Sequence, residues 1–165
     1  MERIGVWVNA VTSIGVIVGL AMLAIELNQN SQVMRYQSGR DSTTTAVGIN
    51  LASMEPAIAE VLAKGYRNET ALSTAELLIL DSYVVAWMML FQQDFLEYRE
   101  GLQPEEWWLV REQSIRTILS SDWSRKVWTN YSKESYNPEF MGTVAAILKG
   151  VPTRDYYESI ETSKP

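Results

Sequence analysis

Three acidic residues in the middle of the sequence, Asp94, Glu97 and Glu100, follow one another at a spacing of three, which is typical of one face of a helix. Together with Asp81 they supply carboxylate oxygens, the ligands that Mg²⁺ and Ca²⁺ prefer in proteins. A metal-dependent enzyme that uses Asp94, Glu97 or Glu100 is therefore one hypothesis for the function of this protein.

The residue types that are missing argue against this hypothesis. The chain contains neither histidine nor cysteine, which excludes the commonest general base, the thiol nucleophile and the Glu-x-x-His ligand pairs of di-iron bundles. The sequence also has no glycine-rich phosphate loop and no serine–lysine catalytic motif. A solvated acidic face that pairs with Arg99 or Arg111 is the simpler interpretation. We therefore predict no catalytic residue, no metal ligand and no cofactor.

The balance of charge narrows the classes of partner. The chain has 20 Asp and Glu against 14 Lys and Arg, a formal net charge of −6. Nucleic-acid binding requires clustered basic residues, so an acidic chain is a poor candidate for it, and we predict no nucleic-acid partner. The chain is a poor candidate for polybasic attraction to anionic lipid for the same reason. Any attachment to a membrane must then be hydrophobic.

An apolar segment without charged residues covers residues 7–25, W-V-N-A-V-T-S-I-G-V-I-V-G-L-A-M-L-A-I. Its length matches the roughly 20 residues that a helix needs to cross a hydrocarbon core. A buried helix of a small soluble domain is a poorer match, because such a helix keeps one polar face. A cleaved signal peptide is also a poorer match, since Met22 stands where cleavage after Ala24 requires a small residue. The segment is predicted to be a transmembrane anchor, with membrane lipid as its partner.

The anchor carries a stripe of residues at the 3-4 spacing of a helix–helix contact. The stripe consists of Thr12, Gly15, Gly19, Met22 and Glu26. Gly15 and Gly19 form a G-x-x-x-G pattern, which lets two backbones approach closely in a membrane. We predict that this stripe is an oligomer interface. The alternatives are that small residues are simply common in membrane helices, and that a ring of Glu26 carboxylates faces a cation pore.

The chain after the anchor is predicted to be helical throughout, with no sustained strand-like alternation. We expect the anchor (1–27) to continue as a helical stalk (28–53) that is weakest at Gly39 and residues 43–45. A bundle domain (54–150) and a polar C-terminal tail (151–165) follow. The predicted fold class is all-α: a single transmembrane helix, a stalk and an antiparallel bundle of about four to five helices.

Capping signals set the predicted helix ends in the bundle. Pro56 suits the first turn of a short helix over 57–64, with Gly65 as its C′ residue. Ser73 and Glu76 form a capping box for a long helix that ends at Gly101. The later helices are predicted to start at Pro104 and at Asn137-Pro138, with Asp122 as the N-cap of the helix between them, and the last helix is predicted to end at Gly150.

The chain has six tryptophans. Trp87, Trp107 and Trp108 occupy helical positions, where the default interpretation is packing in the core. The alternative is an aromatic surface for a partner or an apolar ligand, and these three residues mark where we expect such a surface.

The segment A-I-E-L-N-Q-N-S-Q-V at residues 24–33 resembles a group of small, uncharacterised bacterial proteins, in which one N-terminal membrane helix leads into a Q-N-[TS] segment, here Gln29-Asn30-Ser31. Further similar features are E-Y-R-E-G at 97–101, Pro104 with Trp107, and Asn137-Pro138 with Phe140. The resemblance implies a bacterial membrane-anchored helical domain and carries over no catalytic residue.

These observations favour a non-enzymatic, membrane-anchored helical protein that acts through assembly, either as a homo-oligomer or as an accessory subunit of a membrane complex. A lipid- or apolar-ligand-binding membrane protein is the alternative, and a carboxylate–metal enzyme is the third hypothesis. The expected location is the bacterial inner membrane, crossed once. Arg3 before the span and Arg35 and Arg40 after it favour a cytoplasmic C-terminal domain.

Overall fold

The computed structural model describes residues 2–67 and 69–153, with side chains for all of these except 2–14 and 132–134. The described residues form six helices and no strand, which confirms the predicted all-α class. The helices are α1 (Glu2–Ser53), α2 (Pro56–Tyr66), α3 (Thr74–Arg99), α4 (Glu105–Ile118), α5 (Asp122–Ser135) and α6 (Pro138–Leu148).

The first helix runs without a break through both positions where the sequence predicts weakness. Thr43 donates its hydroxyl hydrogen to the carbonyl of Gly39 at 2.8 Å, and Thr44 donates to the carbonyl of Arg40 at 2.9 Å. A threonine that bonds one turn back satisfies its hydroxyl within the helix. The polar run at 43–45 is therefore compatible with a continuous α1.

The chain divides into two compact units, Met1–Ser38 and Gly39–Pro165. Residues of α1 belong to both units. The contacts thus group residues 39–53, for which a stalk is predicted, with the helical domain. The first unit contains the segment for which a membrane anchor is predicted, and the second contains the core.

The core of the second unit is built around α3, which packs against α2, α4 and α5, while α4 also packs against α6. The predicted centre of the core, residues 83–91, contributes Val84, Trp87, Met88, Leu90 and Phe91. Ile115, Leu119, Phe140 and Val144 complete it from α4, the following turn and α6, and all four are fully buried. Such a core supplies most of the stability of helices of this length.

Several helix ends lie where the caps predict them. Ser73 and Glu76 form the capping box: the amide of Ser73 donates to the Glu76 carboxylate at 2.7 Å, and the amide of Glu76 donates to the Ser73 hydroxyl at 3.3 Å. Asn137 caps α6 and accepts from the amide of Glu139 at 2.8 Å. Gly101 follows α3 with a φ of 72°, a conformation that favours glycine.

Three predicted helix ends are wrong. The helix α2 continues through Tyr66, so Gly65 lies inside it and is buried rather than being its C′ residue. The N-cap of α5 is Ser121, whose hydroxyl accepts from the amide of Ser124, and Asp122 is the first helical residue. Pro104 is the N-cap of α4 rather than its first helical residue, because its backbone is extended.

One described helix, α3, is long and apolar enough to cross a membrane by length and composition alone. The segment Gly15–Ser53 together with α2 also passes this test, although the two are bent by 92° at their junction. In α3 the apolar residues include Leu80, Met88 and Phe91, which are fully buried in the domain. A core helix passes the same test of composition, and the contacts of α3 are those of a core helix.

Candidate functional site

The described part of the first unit exposes an apolar helix on every side. Its large apolar residues from position 16 to 27 are between 51% and 67% exposed, and they are Val16, Ile17, Val18, Leu20, Met22, Leu23, Ile25 and Leu27. Residues this close in sequence point in all directions around a helix. The second unit shows no comparable run, because its apolar residues are divided between core and surface.

The predicted interface stripe lies on this exposed helix. A β-carbon placed on Gly15 or Gly19 would meet no atom within 4 Å, and Met22 and Glu26 are exposed. The described stripe residues therefore present an open surface. Thr12 belongs to the same stripe and lies outside the described side chains.

The predicted acidic residues do not form a metal site. Among the described residues, no group of three or more acidic side chains is placed to hold a metal ion. Glu97 accepts hydrogen bonds from the amides of Gln93 and Gln103 at 3.0 Å and 3.2 Å. Asp81 lies elsewhere on α3 and is half-buried, and Glu100 is the exposed residue that follows the end of α3. Asp94 alone is buried, with 4% of its surface exposed.

Asp94 belongs to a buried polar cluster that joins three helices. Oδ2 of Asp94 on α3 lies 2.6 Å from Nε of Arg111 on α4. Nη2 of Arg111 donates a hydrogen bond of 2.8 Å to the hydroxyl oxygen of Ser42 on α1. Ser42 is 2% exposed. We call Ser42, Asp94 and Arg111 the polar cluster.

Charge and burial compete at Asp94. Burial raises the pKa of the Asp94 carboxyl above its ordinary value, although the neighbouring Ser42 hydroxyl and Arg111 guanidinium act in the opposite direction. The charge of Arg111 and hydrogen bonding from Ser42 and Arg111 thus act together to stabilise the Asp94 carboxylate. A buried pair of this kind contributes little net stability but is costly to break from one side.

The end of α1 contacts the domain through a row of mostly small residues. The row, which we call the docking face, consists of Gly39, Ser42, Ala46 and Ile49, at the 3-4-3 spacing of one helix side. A β-carbon on Gly39 would lie 3.7 Å from the ring of Trp107, which places this ring against the helix. Ala46 and Ile49 pack on the core. Ser42 therefore lies in the middle of an otherwise apolar contact.

Two grooves accompany this contact. The larger, of about 600 Å³, is lined by Tyr66, Tyr83, Trp87, Phe91 and residues of α1 and α4. The smaller, of about 310 Å³, is lined by Thr43, Val47, Trp107 and their neighbours. Ala46, Asn50, Val110 and Arg111 line both grooves. The end of α1 is thus a wall of each groove.

The three tryptophans singled out in the sequence do not form one surface. Trp87 is buried and lines the larger groove, whereas Trp107 is 41% exposed and lines the smaller one. Trp108 is buried on another side of α4, where it stacks on Tyr98 with 5.9 Å between ring centroids and an angle of 9°. Helical spacing could not separate Trp107 from Trp108, because adjacent residues always point to different sides.

Sequence reasoning missed Ser42 as a site residue and mentioned Arg111 only as a surface partner. The spacing of Gly39, Ser42, Ala46 and Ile49 is the signal that could have found Ser42, because it marks one side of α1 with small residues. Neither protein families nor curated proteins nor solved structures show a match to this chain.

Proposed function

We propose that this protein is a membrane-anchored helical domain that assembles through its first helix, as a homo-oligomer or as an accessory subunit of a membrane complex. One observation carries the proposal: the described part of the first unit exposes large apolar residues on every side between positions 16 and 27. Water would solvate this surface unfavourably, whereas lipid covers it and the helix satisfies its own backbone groups.

The same segment supports the proposed location. Residues 7–25 are long enough to span a bilayer once, and the segment is uncharged. The inner membrane of a bacterium, with the helical domain on the cytoplasmic side, agrees with the excess of arginine after the span. In this arrangement the second unit is the soluble part of the protein.

Assembly through the stripe is supported by the open surface at Gly15 and Gly19. A second helix can approach the backbone closely where no β-carbon intervenes, so the contact gains van der Waals attraction that lipid tails supply less well. Larger residues flank this surface, so a partner helix has a groove to enter.

The anchor is tested by extraction of the full chain from membranes. We expect the protein to stay in the membrane pellet at alkaline pH and to need detergent for release. Replacing Leu20 by Arg places a charge in the middle of the span and should release a large part of the protein. Replacing the exposed Leu109 of the helical domain by Arg is the control and should leave it in the pellet. Release of the unchanged protein without detergent would contradict the anchor.

The assembly is tested by measuring the mass of the full chain in detergent. Gly15→Leu and Gly19→Leu fill the close-approach surface and should shift the protein toward the monomer. Ile17→Leu and Ala24→Leu change the opposite side of the same helix and should leave the mass unchanged. The same mass for all four variants would contradict assembly through this stripe.

A second candidate function is binding of an apolar ligand in the larger groove. Its volume of about 600 Å³ falls in the range of small-molecule sites, and Trp87 and Phe91 contribute to its lining. Native mass spectrometry of the full chain released from detergent should then show bound lipid. Ser114→Phe would fill the groove and reduce the bound fraction, whereas Ser82→Phe on the exposed side of α3 would not. Equal bound fractions would exclude this groove.

A further inference from the structure

The end of α1 has two sides that could face the helical domain. The docking face, with Ser42, Ala46 and Ile49, is the side that does so. Val47 and Leu51 define the other side, which we call the outer face, and they are 50% and 61% exposed. At 3.6 residues per turn, the two faces lie roughly 150° apart around the helix.

Apolar area alone hardly separates the two faces. The outer face offers Val47 and Leu51 but also carries Arg40 and Thr44, whereas the docking face offers Ala46 and Ile49. The docking face nevertheless buries Ser42 in the middle of its contact. The hydrogen bonding of this serine is therefore an interaction, beside hydrophobic burial, that distinguishes the docking face.

Close packing is insufficient to set the rotation of this segment. The grooves of about 600 Å³ and 310 Å³ accompany the contact, and α1 forms a wall of both. Empty space beside a helix removes the steric barrier that interdigitated side chains would otherwise give. Val47 already lines the smaller groove, so a turn of the helix toward it meets open space.

The polar cluster supplies a directional interaction at this position. The hydroxyl oxygen of Ser42 accepts from Nη2 of Arg111 at 2.8 Å, and Asp94 lies 2.6 Å from Nε of the same guanidinium. If α1 turned to bury Val47, Ser42 would leave this cluster, and the part-buried Nη2 of Arg111 would lose its acceptor. Loss of this hydrogen bond beside the buried Asp94 costs stability, so the cluster opposes such a rotation of α1.

We propose that Ser42, Arg111 and Asp94 act as a rotational lock that selects which side of α1 docks on the helical domain. Ser42 provides a hydrogen-bond acceptor on one side of α1 only, and the guanidinium of Arg111 donates to it. Asp94 holds this guanidinium in place and balances its charge. This is the role best documented for buried polar groups, which specify one arrangement among apolar alternatives. The lock does not depend on the proposed membrane anchor or on its assembly.

Cysteine labelling tests the lock directly, because the chain has no cysteine of its own. Single cysteines are placed at Val47 on the outer face and at Ile49 on the docking face of the full chain in detergent, and their reaction with a maleimide is timed. With the lock intact, Val47→Cys should react at least about tenfold faster than Ile49→Cys, because Ile49 is partly buried against the core and its labelling is slowed until this contact opens locally.

Removing the lock should bring the two rates together or reverse them. The neutral variant Asp94→Asn with Arg111→Met leaves no unpaired charge, and Ser42→Ala removes only the hydroxyl. In either background we expect the ratio of rates to fall to about threefold or less. The control is Arg99→Met with Glu139→Gln, which removes an exposed ion pair of 3.3 Å and should keep the full ratio.

Circular dichroism of each variant separates rotation from unfolding. A helical variant whose ratio is unchanged would overturn the proposal, because the packing of the apolar residues would then choose the docking face by itself. If the double variant loses its helicity, the lock is tested with Ser42→Ala alone, because this variant keeps the Asp94–Arg111 ion pair. An unchanged ratio in folded Ser42→Ala would likewise overturn the lock.

Discussion

The α-carbon of Gly65 lies directly against the indole ring of Trp123. A β-carbon at position 65 would be 2.6 Å from Nε1 of Trp123 and 2.8 Å from Cδ2 of Leu80, distances that real β-carbons essentially never show. The contact joins α2 to α5 and to the central helix α3. This contact explains why α2 has a glycine one residue before its end, although a glycine inside a helix normally lowers the stability of the helix.

Gly65→Ala should therefore destabilise the protein. The substitution gains about 0.5–1 kcal/mol of helix propensity but overpacks a buried contact, which typically costs about 1–3 kcal/mol. We expect a net loss of roughly 1 kcal/mol in the free energy of urea-induced unfolding. Gly142→Ala is the control, because its β-carbon would meet nothing within 4 Å; it should stabilise the protein by a few tenths to 1 kcal/mol. Equal effects would refute the close contact.

Two adjacent methionines test whether α3 is a core helix. Met88 is completely buried, whereas Met89 is 55% exposed. Met88→Ala should cost about 2–5 kcal/mol of unfolding free energy, because it removes packed atoms and leaves a cavity. Met89→Ala should change it by no more than about 0.5 kcal/mol. Equal losses at the two positions would contradict the packing of α3 described above.

The ion pair between Asp94 and Arg111 predicts strongly non-additive mutants. Asp94→Ala leaves a buried guanidinium without its counter-charge and should cost about 3–5 kcal/mol. The double variant Asp94→Leu with Arg111→Met should regain most of this loss, because it removes both charges from the interior. A double-mutant cycle of urea unfolding gives the coupling energy, and a value near zero would mean that the two side chains act independently.

The capping box of α3 predicts how stability depends on pH. A hydrogen bond from Lys64, together with those from Ser73, lowers the pKa of Glu76 to about 2. Nζ of Lys64 lies 2.7 Å from Oε1 of the Glu76 carboxylate. Because the pKa is lower in the folded state, this stabilisation is present above the ordinary pKa near 4.5 and is lost as the pH falls toward 2.

Glu76→Gln isolates this contribution, since glutamine keeps the capping geometry but does not titrate. The unchanged protein should be more stable than the variant at pH 7, and the difference should shrink steadily below pH 4.5. The measurement is the urea midpoint of both proteins at each pH. A difference that stays constant down to pH 2.5 would show that the charge of Glu76 does not contribute.

Local signals in the sequence were enough to locate most helix ends. Ser73, Asn137 and Gly101 act on the few residues beside them, so the local sequence is enough to predict where these helices begin or end. The fold class was predictable for a similar reason, because helical periodicity and capping recur along the chain. The prediction of Gly65 as a C′ residue is wrong because a glycine is needed there for the contact with the ring of Trp123, which lies far away in the sequence.

The polar cluster escaped prediction because its members lie on three helices. Asp94 belongs to an acidic series that resembles a solvated face, and only the packing of α3 against α4 shows that it is buried. Ser42 follows the polar residues after the apolar segment 7–25 and precedes three threonines, a context typical of a surface. The residue types of such a cluster are visible in the sequence, but the contacts between them form only in the tertiary fold.

The short connections of the domain have a consequence for how the chain folds. Five residues or fewer join α3 to α4, α4 to α5 and α5 to α6, and each of these helices packs on a close neighbour in sequence. Contacts between nearby segments form quickly, because little chain entropy is lost in closing the loops. The hydrogen bond between Ser42 and Arg111 is the contrasting case, since it spans 69 positions. During synthesis, at about 5–20 residues per second, the end of α1 must therefore wait several seconds for its partner on α4. Docking of α1 on α4 therefore comes late during synthesis.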